Sequence, residues 1–107
     1  MKHPEFDASG YPSEKTLRAI RRWPAGGMEK LFAFIREAKW EEYGSWKQRG
    51  GRIVMATGGW SGNEALIDAL QKNRAVNMIC WQRSDRGGRY EFKIPSCCRE
   101  KVSKSIR

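Results

Sequence analysis

Apolar positions recur along this chain at two spacings, and the switches between them mark the elements. In residues 14–22, Leu17 and Ile20 look one way while Arg18, Arg21 and Arg22 crowd the rest. This predicts a first helix. Ser13 can cap it through its hydroxyl, and Glu14 suits the positive end of the helix dipole. Trp23-Pro24 ends it, because the residue before a proline avoids the α region. In residues 28–40, Met28, Leu31, Phe32, Ile35 and Ala38 fall at helical spacing and form one apolar stripe, with Phe34 and Trp40 off it. The apolar run Ile53 to Ala56 predicts a strand over 52–57. Leu66, Ala69 and Leu70 mark the inner side of a third helix over 62–73, where Asn73 can act as the stop. Val76 to Gln82 is rich in β-formers, which predicts a central strand covered on both faces. The turn residues 84–88 follow. Arg89 to Ile94 then alternates strictly, as a half-buried strand does, and closes a β-hairpin with a basic tip.

The remaining segments lack such periodicity. Residues 1–12, with Pro4, Gly10 and Pro12, read as an irregular arm. Residues 41–51 hold Gly44, Gly50 and Gly51 beside Tyr43 and Trp46, and read as a loop packed through its aromatics. After Pro95, residues 96–107 carry Arg99, Lys101, Lys104 and Arg107 against Glu100 alone, which reads as a flexible basic tail. The expectation is one α+β domain over 13–95. Its order is ααβαββ, with a three-stranded sheet and the helices packed on one face. Leu31, Phe32, Ile35, Leu66, Leu70, Ile79 and Trp81 are the expected core, and Cys80 joins them as a small apolar residue. A helix followed by a basic hairpin also resembles a winged helix, but two consecutive helices directly before the hairpin are missing from this reading.

Composition narrows the function classes. At 107 residues and 39% apolar content the chain makes one modest core. The net charge of +9 favours a polyanionic or acidic partner. Cys80, Cys97 and Cys98 are odd in number, two are adjacent, and no Cys-x-x-Cys spacing occurs. With His3 the only histidine, this argues against a zinc site. It also argues against a disulfide framework and suits a reducing cytoplasm. No apolar stretch is long enough for a signal peptide or a membrane span.

The run Thr57-Gly58-Gly59-Trp60-Ser61-Gly62-Asn63-Glu64 lies between a strand and a helix. Ser61 and Glu64 have capping-box spacing, and the glycines permit a sharp turn. Free N–H groups there could meet a phosphate or carboxylate, but neither nucleotide-binding glycine pattern is present. Trp60 is either a hydrophobic staple or a contact residue, with Ser61 and Asn63 beside it. The hairpin tip with Arg83, Arg86 and Arg89 could reach phosphates or a minor groove, or be a solvated turn kept from edge pairing by charge. Arg18, Arg21 and Arg22 share a helix face suited to phosphate or carboxylate forks, or simply a solvated one. Cys97-Cys98 could be reactive in a basic setting. Glu41-Glu42 lacks a metal partner and Ser61 lacks a histidine base, so no catalytic residue, metal or cofactor is assigned.

Ser9-Gly10-Tyr11-Pro12, Trp23-Pro24, the octapeptide from Thr57 to Glu64, Cys80-Trp81, and Arg86-Gly87-Gly88 with Tyr90 and Phe92 together resemble small proteins of tailed phages and prophages. That resemblance implies a small cytoplasmic protein of an infected bacterial cell, and transfers no activity. The expected function is non-catalytic binding of nucleic acid or a nucleoprotein complex through an Arg- and Trp-rich surface. The contact residues would be Trp60, Ser61, Asn63, Arg83, Arg86, Arg89, Arg18, Arg21 and Arg22. The alternative is an inhibitor docking on an acidic or apolar patch of a host protein, such as a defence enzyme.

Overall fold

The computed structural model describes residues 3–95, except for the side chains of Lys39, Trp81 and Gln82. The expectations for the tail 96–107 and for Trp81 as core lie outside the described residues. The fold is α+β, with helices on one face of a sheet. Helix α1 spans Glu14–Arg21, and Ser13 Oγ caps it by accepting from the Thr16 N–H at 3.1 Å. A short 3₁₀ turn at Ala25–Gly27 leads into α2, Met28–Ile35. The chain continues through a π turn, Arg36–Trp40, into a last short turn α3, Glu41–Tyr43. Strands β1 (Ser45–Arg49) and β2 (Arg52–Ala56) form a hairpin. Helices α4 (Ser61–Gln71) and α5 (Arg74–Ile79) follow, then a second hairpin of β3 (Trp81–Asp85) and β4 (Arg89–Lys93).

The sheet has four strands in the order β1-β2-β4-β3, every pair antiparallel. Its inner face carries Trp46, Ile53, Met55 and Phe92 into a core with Ile20, Leu31, Phe32, Ile35, Leu66 and Leu70. Cys80 is buried with them and Ile79 is partly buried against them. Phe34 and Trp40, off the apolar stripe, are buried as well. Phe34 meets Trp23 at 4.9 Å between ring centroids, and the Trp40 indole N–H donates to the Ser45 carbonyl at 2.8 Å. For Trp40 the π turn helps explain why, since it shifts the angular phase of the residues at its end.

Three sequence expectations are corrected, and with them the expected three-stranded sheet and the order ααβαββ, because β1 adds a fourth strand and α5 an extra helix before the second hairpin. The 41–51 loop holds the end of the second helical segment and β1. Only Trp46 is buried along that strand, so an edge strand with polar neighbours shows no alternation of apolar residues. The strand expected over 76–82 is instead α5 through Ile79, and β3 after it is an edge strand. A short apolar run does not by itself separate strand from helix. Here Asn73 decides, because it caps α5 by accepting from the Val76 N–H at 3.1 Å. It follows the end of α4, as expected of a stop, and also starts the next helix. Its amide also donates to the Ile20 and Trp23 carbonyls at 2.7 and 3.1 Å, tying α5 to the end of α1. Finally, α4 and α5 supply the two consecutive helices before the hairpin. Even so, β4 pairs with β2 inside the sheet, so the hairpin is no free-standing wing.

The arm is irregular but tethered. The Glu5 N–H donates to Thr16 Oγ1 at 2.8 Å, that hydroxyl donates to the Glu5 carbonyl at 2.9 Å, and Phe6 packs partly buried against the core.

Candidate functional site

The described helices pack on one side of the sheet, and no element among the described residues covers the other face. Residues directly opposite in an antiparallel ladder share a face, so the register reads out that surface in three rows. One row is Arg49, Arg52 and Lys93; the next is Lys47, Val54, Glu91 and Arg83; the last is Ser45, Ala56, Arg89 and Asp85. Six of these eleven positions are Lys or Arg and two are acidic.

The acids are already engaged. Arg52 Nε donates to Glu91 at 2.6 Å, Arg83 Nε to Asp85 at 3.1 Å, and an Arg89 guanidinium nitrogen to the other Asp85 oxygen at 2.6 Å. The hydrogen bond from Arg52 holds the Glu91 carboxyl below the usual range against partial burial, helped by the charges of Arg52, Arg83 and Arg89. Desolvation pushes Asp85 upward, but hydrogen bonds from Arg89 and Arg83 outweigh it and leave it lowered. Both are carboxylates at neutral pH. Lys47, Arg49 and Lys93 are exposed and form no ion pair among the described residues.

The small side chains of Val54 and Ala56 leave a depression of about 530 Å³ between the cations. Ser45, Lys47, Gln48, Arg49, Arg52 and Arg89 complete its lining. A second depression, lined by Arg49, Gly51, Arg52, Glu91 and Lys93, shares two arginines with it. A concave floor ringed by cations suits an extended anion, because guanidinium forks and ammonium groups can each take a phosphate oxygen.

The octapeptide turn lies beyond the Ser45–Ala56 end of this face. Gly58 and Gly59 have φ of +66° and +79°, and a Cβ on Gly58 would overlap the Tyr43 carbonyl oxygen. The expected capping box is not formed. Trp60 is the N-cap of α4 and makes no side-chain cap bond, so Ser61 is the first helical residue. The helix starts one residue earlier than the Ser-x-x-Glu spacing requires, which puts Asn63 where Glu64 was expected. Ser61 Oγ donates to the Tyr11 hydroxyl at 3.2 Å. Asn63 is fully buried, its amide donating to the Trp40 and Thr57 carbonyls at 3.2 Å each. It staples the turn to the π segment and presents nothing at the surface.

The nine candidate contact residues therefore fall in separate places. Arg83 and Arg89 lie on the open sheet face, and Arg86 is exposed in the turn between their strands. Trp60 and Ser61 sit at the start of α4. Arg18 and Arg21 belong to α1 in the helical layer and Arg22 is its C-cap; Arg21 pairs with Glu14. Sequence reasoning missed Lys47, Arg49, Arg52 and Lys93. The alternation Lys47, Arg49 across Gly50-Gly51 to Arg52 was the available signal, but it needed β1 to be recognised as a strand.

No protein-family model matches the chain, and neither a curated protein nor a solved structure matches it. Among the described residues, no group of three or more His, Cys, Asp or Glu could hold a metal ion, and no helix is long and apolar enough to cross a membrane.

Proposed function

We propose that this chain is a non-catalytic nucleic-acid-binding protein of a tailed phage or related mobile element, working in the cytoplasm of a bacterial host. It docks the open, basic face of its sheet on the phosphate backbone. One observation carries the reading: among the described residues Lys47, Arg49 and Lys93 stand without acidic partners, Lys47 and Arg49 beside the concave Val54–Ala56 floor and Lys93 in the adjoining depression that shares Arg49 and Arg52 with it. A cation left unpaired on a surface is stabilised further by a polyanion, which releases its condensed counterions on contact. Arg83 and Arg89 share Asp85, and Arg89 also lines the depression, so this paired cluster adds to the field along the same face.

The test is titration of a labelled oligonucleotide, followed by fluorescence anisotropy across a salt series. Three to five phosphate contacts to a single strand give a log–log slope of about −2 to −3.5 at about 0.7 per phosphate. Absence of binding near physiological salt, or affinity independent of salt, would reject the reading. In that event, capture of an acidic host protein by the same face would identify the chain as a protein inhibitor.

A further inference from the structure

Two of the three large apolar side chains exposed among the described residues converge on one tryptophan. Tyr43 is 48% exposed and Tyr11 42% exposed. The Tyr43 ring stacks on Trp60 with centroids 4.2 Å apart and planes 27° from parallel, while Tyr11 meets Trp60 edge-on at 5.6 Å. Gly62 lies so close to Trp60 that a Cβ there would overlap the indole, which fixes the ring against the start of α4. The indole is thus a fixed inner plate and Tyr43 an outer one.

This ledge adjoins the basic face. Tyr43 precedes Ser45, which lines the depression, by two residues, so their Cα atoms lie within about 7 Å. Trp60 follows Ala56, on the depression floor, by four residues. The turn between them is pinned, since the Thr57 N–H donates to the Gly88 carbonyl at 3.0 Å.

Resting on the proposed reading of the sheet face, we infer that the ligand is single-stranded nucleic acid, whose phosphates lie along the sheet and one of whose bases stacks on Tyr43. Two arguments favour a single strand over a duplex. Four strands at about 4.8 Å spacing make a surface about 14 Å across before side chains are counted, wider than the major groove of about 12 Å. And a stacking plate is of no use to bases already stacked in a duplex, whereas every unpaired base has a π face to offer.

The experiment measures affinity of the full chain for a thymidine strand of about twelve nucleotides, a uridine strand and a duplex of equal length, and an abasic sugar-phosphate strand of the same length. The single strands are expected to bind at least about tenfold more tightly than the duplex. Tyr43→Ala is expected to weaken them by about 5- to 150-fold, the range of one base–aromatic stack. It should leave both the abasic strand and the salt slope unchanged, and Tyr43→Phe should restore binding. Equal affinity for duplex and single strand, or no effect of Tyr43→Ala on the base-bearing strands, overturns this inference and leaves the phosphate-binding reading intact. Failure of every probe, the abasic strand included, overturns both. Circular dichroism of Tyr43→Ala checks its fold. If it fails to fold, Tyr11→Ala and the Tyr43→Phe to Tyr43→Leu comparison decide between stacking and bulk: leucine that binds as well as phenylalanine rejects the stack.

Discussion

Replacing Lys47, Arg49 and Lys93 together by glutamine lowers the net charge from +9 to +6. None of the three pairs with a carboxylate among the described residues, so the change orphans no buried charge. Each surface substitution should move stability by no more than about 0.5 kcal/mol. Loss of three phosphate contacts at about 0.7 per contact removes about 2 from the log–log salt slope for a single strand. Referred to about 1 M salt, where the counterion term vanishes, that loss corresponds to about 50-fold weaker binding near 0.15 M. The matched control is Arg18→Gln, Arg21→Gln and Arg22→Gln, which removes an equal number of charges from α1 and its C-cap in the helical layer. Its slope should change by less than about 0.5, because long-range attraction alone neutralises no particular phosphate. Anisotropy titrations of both triple variants across one salt series give the comparison. Equal losses in the two would show that net charge acts without any docking face, and the reasoning from the sheet register would fail.

Three further outcomes concern stability. Asn73→Ala removes the α5 cap and the bonds to the Ile20 and Trp23 carbonyls, and should cost about 3 kcal/mol in urea unfolding; a loss below about 1 kcal/mol would deny its bridging role. Gly58→Ala and Gly59→Ala both force an L-residue to positive φ, at about 1–2 kcal/mol each. Only Gly58 also meets Tyr43, so its variant should have the lower Tm, and equal Tm values would count against that close approach. The Glu91 carboxyl is held low by its bond from Arg52, so its folded pKa lies below the unfolded value of about 4.3. The stability it contributes is therefore complete above that unfolded value and lost as pH falls through the folded one. Glu91→Gln should flatten the acid limb of stability against pH, and an unchanged limb would contradict the pairing.

Elements with apolar faces were legible in the sequence, and those built by polar residues were not. Leu31, Phe32 and Ile35 announced α2, Leu66 and Leu70 announced α4, and the Arg89 to Ile94 alternation announced β4; all of these are buried or placed accordingly. Strand β1 escaped because it carries a single buried residue, Trp46, and is recognisable only by pairing with β2. Helix α5 escaped because its start is a tertiary matter, with Asn73 held by carbonyls about fifty residues away in sequence. The same limit governed the site. Arg83 and Arg89 stood out beside a turn signal, whereas Lys47, Arg49, Arg52 and Lys93 become neighbours only through the β1-β2-β4 register. Asn63 shows the reverse error: its polar side chain suggested contact, and the fold spends it on two internal carbonyls.

The most direct test of the basic sheet face is an amide chemical-shift titration of the isotope-labelled full chain with a single-stranded oligonucleotide. The expected result is a contiguous set of shifts along Ser45–Arg49, Arg52–Ala56 and Arg89–Lys93, fading in α1 and α5. Shifts centred on Arg18, Arg21 and Arg22, or confined to the Arg86 turn with the three strands unmoved, would contradict it.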